Sequence, residues 1–316
     1  MSKEIEEKLN KIPVLNLFVR LLSKIKLPGL EGLSLYDLLE LYTIGIAKGA
    51  LTARASAIAY SFFVALFPFL LFIIIVIPYI PINGFETDFL AFLESVLPPT
   101  TTDFFHENIF ENLKGSNTKS GLISSVLLLA IFLMANGINA LFSGFENSYH
   151  EQLTRNVVRQ YLSALGVALI LAFLLIITVA GLGYFQIYVV DNFIYVLDKY
   201  GYDTRRETGF WANFAQYAFF IIMTYLATAT LYYFGTKEGK SSKFFSIGAI
   251  FTTLLFMLTS FLFGIYIESF ANYNELYGSI GALLILLFYL WLNANILLLG
   301  FELNMALKNL KKEHKL

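Results

Sequence analysis

Hydrophobic and polar positions fall in long blocks along this chain. Six mainly apolar windows contain no Asp, Glu, Lys or Arg: 55–85, 120–145, 160–190, 208–236, 244–267 and 276–301. A helix needs about 20 apolar residues to cross a hydrocarbon core of about 30 Å, so each window is long enough. Lipid offers no partner to exposed backbone groups, and continuous apolar runs favour helices over the alternation of a barrel. The pattern predicts an all-α, polytopic membrane protein with six transmembrane helices.

The predicted transmembrane domain covers residues 51–307 and is framed by two shorter parts. Residues 1–50 carry apolar positions at helical spacing with basic residues between them, which indicates N-terminal cytoplasmic amphipathic helices. These helices either lie on the membrane surface or pack on the cytoplasmic ends of the bundle. Residues 308–316 are expected to form a basic cytoplasmic tail, and 82–119 an outer loop. The spans are expected near 55–80, 121–145, 161–189, 211–234, 244–267 and 279–305.

Lys and Arg predict the orientation of the six spans. With both termini on one side, that side holds 17 of the 22 Lys and Arg residues, and the other side holds 5. Acidic residues divide almost evenly, so the asymmetry belongs to the basic residues alone. Basic residues are retained on the cytoplasmic side of membrane proteins. We therefore expect both termini to be cytoplasmic.

Composition supports a membrane protein and removes several kinds of catalytic chemistry. Hydrophobic residues make up 57% and charged residues 14% of the chain, against about 45–50% and about 25% in soluble proteins. Cys is absent, and the three His residues stand in different segments, so no thiol nucleophile, metal site or catalytic residue is assigned. A net charge of −1 gives no general attraction to nucleic acid. No cofactor is expected, and membrane lipids are the expected partners.

Two charged residues stand at the cytoplasmic border of the apolar windows. Glu302 directly follows the last window, and Arg54 directly precedes the first one. Charged groups within spans are costly and are candidates for function, although those near a helix end reach the interface at a modest cost. The sequence therefore offers Arg54 and Glu302 as a cytoplasmic-end pair that acts either as an inner gate or as a packing anchor.

Other polar and special residues within the windows are further candidates. Pro68 lies about 21 Å along the helix from Arg54, near mid-membrane, where it predicts a kink that is either static or a hinge. The tyrosine-rich turn before the sixth span is expected to form the outer mouth: Tyr273, Asn274, Tyr277, Gly278 and Gly281. Polar side chains expected to face the bundle interior are Asn136, Asn139, Glu146, Asn293, Asn295 and Asn304.

One internal similarity links the second and sixth spans. Residues 139–146 (NALFSGFE) and 295–302 (NILLLGFE) share Asn, Leu, Gly, Phe and Glu in register. An inverted repeat of three plus three spans would pair the second span with the fifth instead. Duplication of a helical hairpin and chance similarity between two apolar helices both account for the pattern, and chance is the simpler explanation.

Three segments together resemble the YihY/BrkB family of inner-membrane proteins, historically labelled ribonuclease-BN-like. They are ASAIAYSFFVALFP at 55–68, the end of the second span at 140–149, and 260–307 with its YGSIGA and GFELNMAL motifs. The resemblance covers roughly residues 35–307 and implies a six-helix protein of the bacterial cytoplasmic membrane with cytoplasmic termini. It brings no settled activity. The position of Glu146 is more often Asn in the family.

The residues favour transport over catalysis. The kinked first span, the glycines and the polar side chains within spans are typical of a transporter, or of a protein that translocates a lipid or amphiphile of unknown identity. The alternative is a non-transporting scaffold for envelope integrity. Ribonuclease activity lacks the clustered carboxylates or histidines that metal-dependent hydrolysis requires. The sequence names no protein partner and no oligomeric state.

Overall fold

The computed structural model describes residues 21–25, 34, 36, 50–76, 120–146, 156–184, 205–235, 244–269 and 279–313. Its six long elements are α-helices: α1 Ala50–Val76, α2 Ser120–Glu146, α3 Val157–Tyr184, α4 Arg205–Gly235, α5 Ile247–Ser269 and α6 Ser279–Glu313. Each contains a segment that is long and apolar enough to cross a membrane. The predicted class, an all-α membrane protein with six spanning helices, is confirmed.

Two helices extend well past the apolar windows that predicted them. α4 begins at Arg205 rather than near 211, and α6 continues to Glu313. Residues 308–313, which were expected to form a tail, therefore prolong the last helix. They are mostly Lys, Leu and Glu, which are good helix formers, and Lys near a helix C-terminus interacts favourably with the helix dipole.

Several predictions fall on residues outside the described ranges. These are the outer loop 82–119, most of residues 1–50, and Tyr273, Asn274, Tyr277 and Gly278 of the expected outer mouth. Residues 21–24 are helical, and Leu21 and Ile25 are exposed.

Pro68 lies inside α1, which continues past it to Val76. Proline has no N–H, so one hydrogen bond within the helix is missing at this position. Five apolar positions beyond it are buried, Leu70, Phe72, Ile73, Ile74 and Ile75, and their packing holds the helix past the proline. The hinge at Pro68 stays a prediction.

The helices pack in the order of the chain and close into a ring. Each helix packs against its neighbours in sequence, and α6 packs against α1. Small residues bring neighbouring backbones close: a Cβ added to Gly144 would lie 2.7 Å from the Ile58 side chain, and one added to Gly137 would lie 2.8 Å from Ala65. In lipid, helix association depends on such close packing because the solvent is as apolar as the side chains.

One end of the ring is packed more densely than the other, and we call it the Arg54 end because it carries Arg54 and Glu302. Buried residues of α4 run from Thr228 to Gly235, whereas the described side chains at 214–227 are half-buried or exposed. α4 therefore meets the rest of the bundle mainly at the Arg54 end.

α5 and α6 repeat this asymmetry. Among the described side chains of α5, four are buried between Gly248 and Thr253, and only Phe263 is buried beyond them. Among the side chains of α6 whose burial is described, those that are buried begin at Ala294, apart from Gly281. α1 and α3 remain buried much farther from the Arg54 end, for example at Ile73 and Val179. Among the described residues, the buried side chains of α4–α6 are thus concentrated at the Arg54 end, whereas those of α1 and α3 extend farther along the bundle.

Candidate functional site

Arg54 joins three helices at the closed end of the ring. Its Nη2 donates to Glu302 Oε1 of α6 at 2.9 Å, and its Nη1 donates to the Gly144 carbonyl of α2 at 2.9 Å. The side chains of Arg54 and Glu302 are 14% and 4% exposed. A buried carboxylate needs such a partner, because desolvation is expensive for an unpaired charge. The predicted cytoplasmic-end pair is thus brought into direct contact.

The end of α2 explains the second bond that Arg54 makes. α2 ends at Glu146, so Gly144 lies in its last turn. The last four carbonyls of a helix have no partner within that helix, and cationic side chains bind them favourably. The guanidinium of Arg54 therefore fixes the end of α2 while it neutralises Glu302.

Asn304 caps the start of α5. Its Oδ1 accepts a hydrogen bond from the Gly248 N–H at 2.8 Å, and its Nδ2 donates to Ser246 Oγ at 3.0 Å. Ser246, which precedes the helix, also accepts from the Ala249 N–H at 3.3 Å. The first N–H groups of a helix lack carbonyl partners, and Ser is a favoured N-cap residue. Asn304 thus completes a cap shared between α5 and α6.

Tyr232 ties α4 to both α5 and α6. Its hydroxyl donates to the Leu297 carbonyl at 2.8 Å and shares a hydrogen bond of 2.6 Å with the Thr252 hydroxyl. Gly300 provides the space: a Cβ at this position would overlap the Thr252 and Tyr232 hydroxyls. Since the phenol is buried, these partners replace the water that it would bind in solution.

Aromatic rings fill the centre of the Arg54 end. Phe145 of α2 stacks on Phe301 of α6 with ring centroids 4.3 Å apart, and its centroid lies 5.6 Å from that of Tyr232 of α4. Phe142 adjoins this group and is fully buried. α2, α4 and α6 alternate around the ring, so their side chains meet inside it. We call Phe142, Phe145, Tyr232 and Phe301 the aromatic plug.

The two similar segments meet at this plug. Phe145 and Phe301 occupy the same place in the two sequences, and Arg54 bonds to the Gly of one segment and the Glu of the other. Both segments therefore pack around one point. This shared location favours a common packing requirement as the cause of their similarity.

A polar cluster that the sequence did not predict joins α2 to α3. The Gln160 Nε2 donates to Asn139 Oδ1 at 3.1 Å and to Ser143 Oγ at 2.9 Å. Gln160 is buried, and Asn139 is half-buried at the contact with α3. The sequence offered little indication that four polar residues take part in contacts between helices: Gln160, Tyr232, Ser246 and Thr252. Single polar residues near or within apolar windows are common, and the partners of these four lie far away in sequence.

Two of the predicted placements are wrong. Asn136 is exposed rather than directed into the bundle. It follows the buried Met134 by two positions, which turns it about 200° around the helix. Gly281 lies in the first turns of α6 and is buried, so it is part of the helix and not of a preceding turn.

The remaining predicted residues have local roles. Asn293 and Asn295 are half-buried, and each donates its amide to the carbonyl four residues earlier in α6, at 2.8 and 2.7 Å. Glu146 is half-buried at the end of α2. The described part of the chain contains no group of three or more His, Cys, Asp or Glu that could hold a metal ion.

An apolar cavity of about 190 Å³ lies beyond the aromatic plug, between α1, α2, α3 and α6. Its α1 residues, Phe62 to Phe69, are about 12–22 Å along the helix from Arg54, which places the cavity near mid-membrane. The lining residues are Phe62, Ala65, Leu66, Phe69, Met134, Gly137, Ile138, Ala168, Leu171 and Leu290.

Six apolar spanning helices, closed at one end by an ion pair and an aromatic plug, define a polytopic membrane protein. Residues 45–316 match the model of a family described as virulence factor BrkB. The chain belongs to this family.

Relatives of this chain bear different names. The ribonuclease-like protein YfkH of Bacillus subtilis is 26% identical over 262 residues, which cover 82% of this chain and 91% of that protein. A UPF0761 membrane protein of Alteromonas mediterranea is 24% identical over 286 residues, 89% of this chain and 92% of the relative. A UPF0761 membrane protein of a Psychrobacter species is 31% identical over 101 residues, 32% of this chain and 18% of the relative. No solved structure gives a significant match.

Proposed function

We propose that this protein transports or translocates a lipid or another amphiphile across a bacterial cytoplasmic membrane. The observation that carries the proposal is the position of the apolar cavity directly beyond a sealed end of the ring. Arg54–Glu302 and the aromatic plug close one side, while the described side chains of α4–α6 on the other side are mostly exposed or half-buried. A bundle that is sealed at one end is consistent with one half of an alternating-access cycle.

The cavity favours a hydrocarbon ligand. Its described lining is apolar, and its volume of about 190 Å³ exceeds the roughly 150 Å³ of an apolar cavity that stays dry and binds small apolar molecules. It is smaller than the roughly 300–1,000 Å³ that encloses a whole drug-sized ligand. A short hydrocarbon segment therefore suits the cavity, with the rest of the amphiphile left outside it.

Reconstitution into liposomes with a fluorescently labelled phospholipid tests this function. We expect the wild-type protein to accelerate lipid movement between leaflets, measured by dithionite quenching, and Ala168→Leu to slow it at least fivefold by filling the cavity. Because the added atoms enter existing space, the thermal denaturation midpoint should stay the same or rise. Ala57→Leu, which adds the same atoms at an exposed position of α1, serves as the matched control.

Rates equal to those of protein-free liposomes, over phospholipids and other amphiphiles, would overturn the transport proposal. The non-transporting scaffold would then be favoured, and co-purification of a protein in fixed ratio would support it. Equal slowing by Ala168→Leu and Ala57→Leu would leave transport standing but reject the cavity as its route.

The proposal includes a cytoplasmic location for both termini, supported by the uneven distribution of Lys and Arg. We also propose that the protein does not hydrolyse RNA, although one relative bears a ribonuclease-like name. Incubation of purified protein with labelled RNA and divalent cations checks this. Cleavage that co-elutes with the protein would contradict it.

A further inference from the structure

We infer that the exposed face of α2 around Asn136 is an interface between two copies of this chain. Leu129, Phe132 and Leu133 share this face and are 59%, 51% and 39% exposed. With Asn136 they form a stripe at spacings of three, four and seven residues, which follows one side of a helix. The inference is independent of the proposed transport function.

The depth of Asn136 makes its exposure costly. Asn136 lies ten residues before Glu146, which corresponds to about 15 Å along α2. This is close to the middle of a hydrocarbon core of about 30 Å. An amide at this depth reaches neither water nor lipid headgroups, and acyl chains offer no hydrogen-bond partner.

The fold also blocks the local partner that an asparagine in a helix commonly uses. Asn293 and Asn295 each donate to the carbonyl four residues earlier. For Asn136 that carbonyl belongs to Phe132, and it already accepts a hydrogen bond of 2.7 Å from the Tyr161 hydroxyl of α3. No hydrogen bond joins the Asn136 side chain to another group within the described ranges. Its donor and acceptor are therefore available to a partner outside the chain.

A second copy is the partner that fits this chemistry. The Asn side chain carries both a donor and an acceptor, so two copies of it can bond reciprocally. Most homo-oligomers are symmetric dimers in which the same patch meets itself across a two-fold axis. Placing Asn136 on that axis pairs both amides and covers Leu129, Phe132 and Leu133 at once.

Cysteine cross-linking in membranes tests this interface, and the absence of native Cys removes the background. We expect Leu133→Cys, oxidised with copper phenanthroline, to give a band at twice the 35.7 kDa mass of one chain. Leu258→Cys is the matched control, because Leu258 is 52% exposed near mid-depth on α5 and should give no dimer.

Two second-site changes make the test specific. Asn136→Leu in the Leu133→Cys background should lower dimerisation roughly five- to thirtyfold, the scale of an interhelical hydrogen bond in lipid. Tyr161→Phe should lower dimerisation less than Asn136→Leu does. The loss of the Tyr161 hydroxyl frees the Phe132 carbonyl, which can then accept a hydrogen bond from the Asn136 amide within the same helix. Both positions lie at or near the surface, so the thermal denaturation midpoint of each variant should match that of the parent protein.

Three results would overturn the inference. They are no dimer with Leu133→Cys, equal cross-linking at Leu258→Cys, and a dimer that Asn136→Leu leaves unchanged. A cross-linked band at another mass would assign the face to a different protein and would equally reject pairing between copies. A reduced dimer with unchanged lipid movement in liposomes would separate this interface from the proposed function.

Discussion

At the scale of single residues, Arg54 serves a charge and a helix terminus together. Glu302 is almost fully buried, and Arg54 compensates its charge. The Gly144 carbonyl depends on the same guanidinium. Lys could supply the charge, but it lacks the planar group whose two nitrogens reach both acceptors. Residue chemistry thus fixes how α1, α2 and α6 meet.

Removing one member of the pair should cost more than removing both. We expect Arg54→Met and Glu302→Met each to lower the free energy of unfolding by about 3 kcal/mol, because each leaves an uncompensated buried charge. The double variant should lose less than the sum of the two, since no charge is then left buried. Equilibrium unfolding in detergent, analysed as a double-mutant cycle, checks this. Additive losses would mean that the ion pair contributes no coupling.

At the scale of elements, the contact between α5 and α6 depends on two glycines. A Cβ on Gly248 would overlap the Gly300 carbonyl and press on Asn304, and a Cβ on Gly300 would overlap the Thr252 and Tyr232 hydroxyls. The close approach lets Asn304 reach the start of α5. It also lets the Tyr232 hydroxyl reach the Leu297 carbonyl. Backbone proximity and side-chain hydrogen bonding therefore depend on each other here.

Substitution of alanine at Gly248 should separate these helices. We expect Gly248→Ala to destabilise the protein by about 2–3 kcal/mol, because the neighbouring atom is backbone and cannot move aside. Gly264→Ala is the matched control in the same helix: nothing lies within 4 Å of its added Cβ. It should stabilise α5 by about 0.5–1 kcal/mol. Equal denaturation midpoints for the two variants would contradict the close contact.

At the scale of the whole molecule, the ring is asymmetric from end to end. Charged and aromatic groups seal the Arg54 end, whereas the described parts of α4, α5 and α6 farther from that end contribute few buried residues. The Lys and Arg distribution predicts that the sealed end faces the cytoplasm.

Reporter fusions measure this orientation directly. We expect green fluorescent protein attached after Leu316 to fluoresce, and alkaline phosphatase at the same place to be inactive. Phosphatase inserted within 82–119 should be active, because that loop is predicted to lie outside. The opposite pattern would reverse the assignment of the sealed end without affecting the fold.

The six spans follow from the sequence alone. A helix that crosses the hydrocarbon core must be apolar over some 20 positions. The six windows between 55 and 301 meet this condition, so they determine the fold class independently of how the helices pack. The contact of Arg54 with Glu302 could be anticipated for a related reason. Both residues stand at the same border of the apolar windows, and their charges are opposite.

Only the tertiary structure decided which side of each helix faces inward. Asn136 and Asn139 occupy one apolar window, yet Asn136 is exposed and Asn139 bonds to Gln160. A uniformly apolar helix has little amphipathic pattern, so its rotation is set by the shapes of its neighbours. Tyr232, Thr252 and Leu297 illustrate the same point, because Gly300 brings them together from three helices. The apolar interior of the membrane therefore determines the six spans from the sequence alone. Packing between the helices determines which side chains meet at the candidate site.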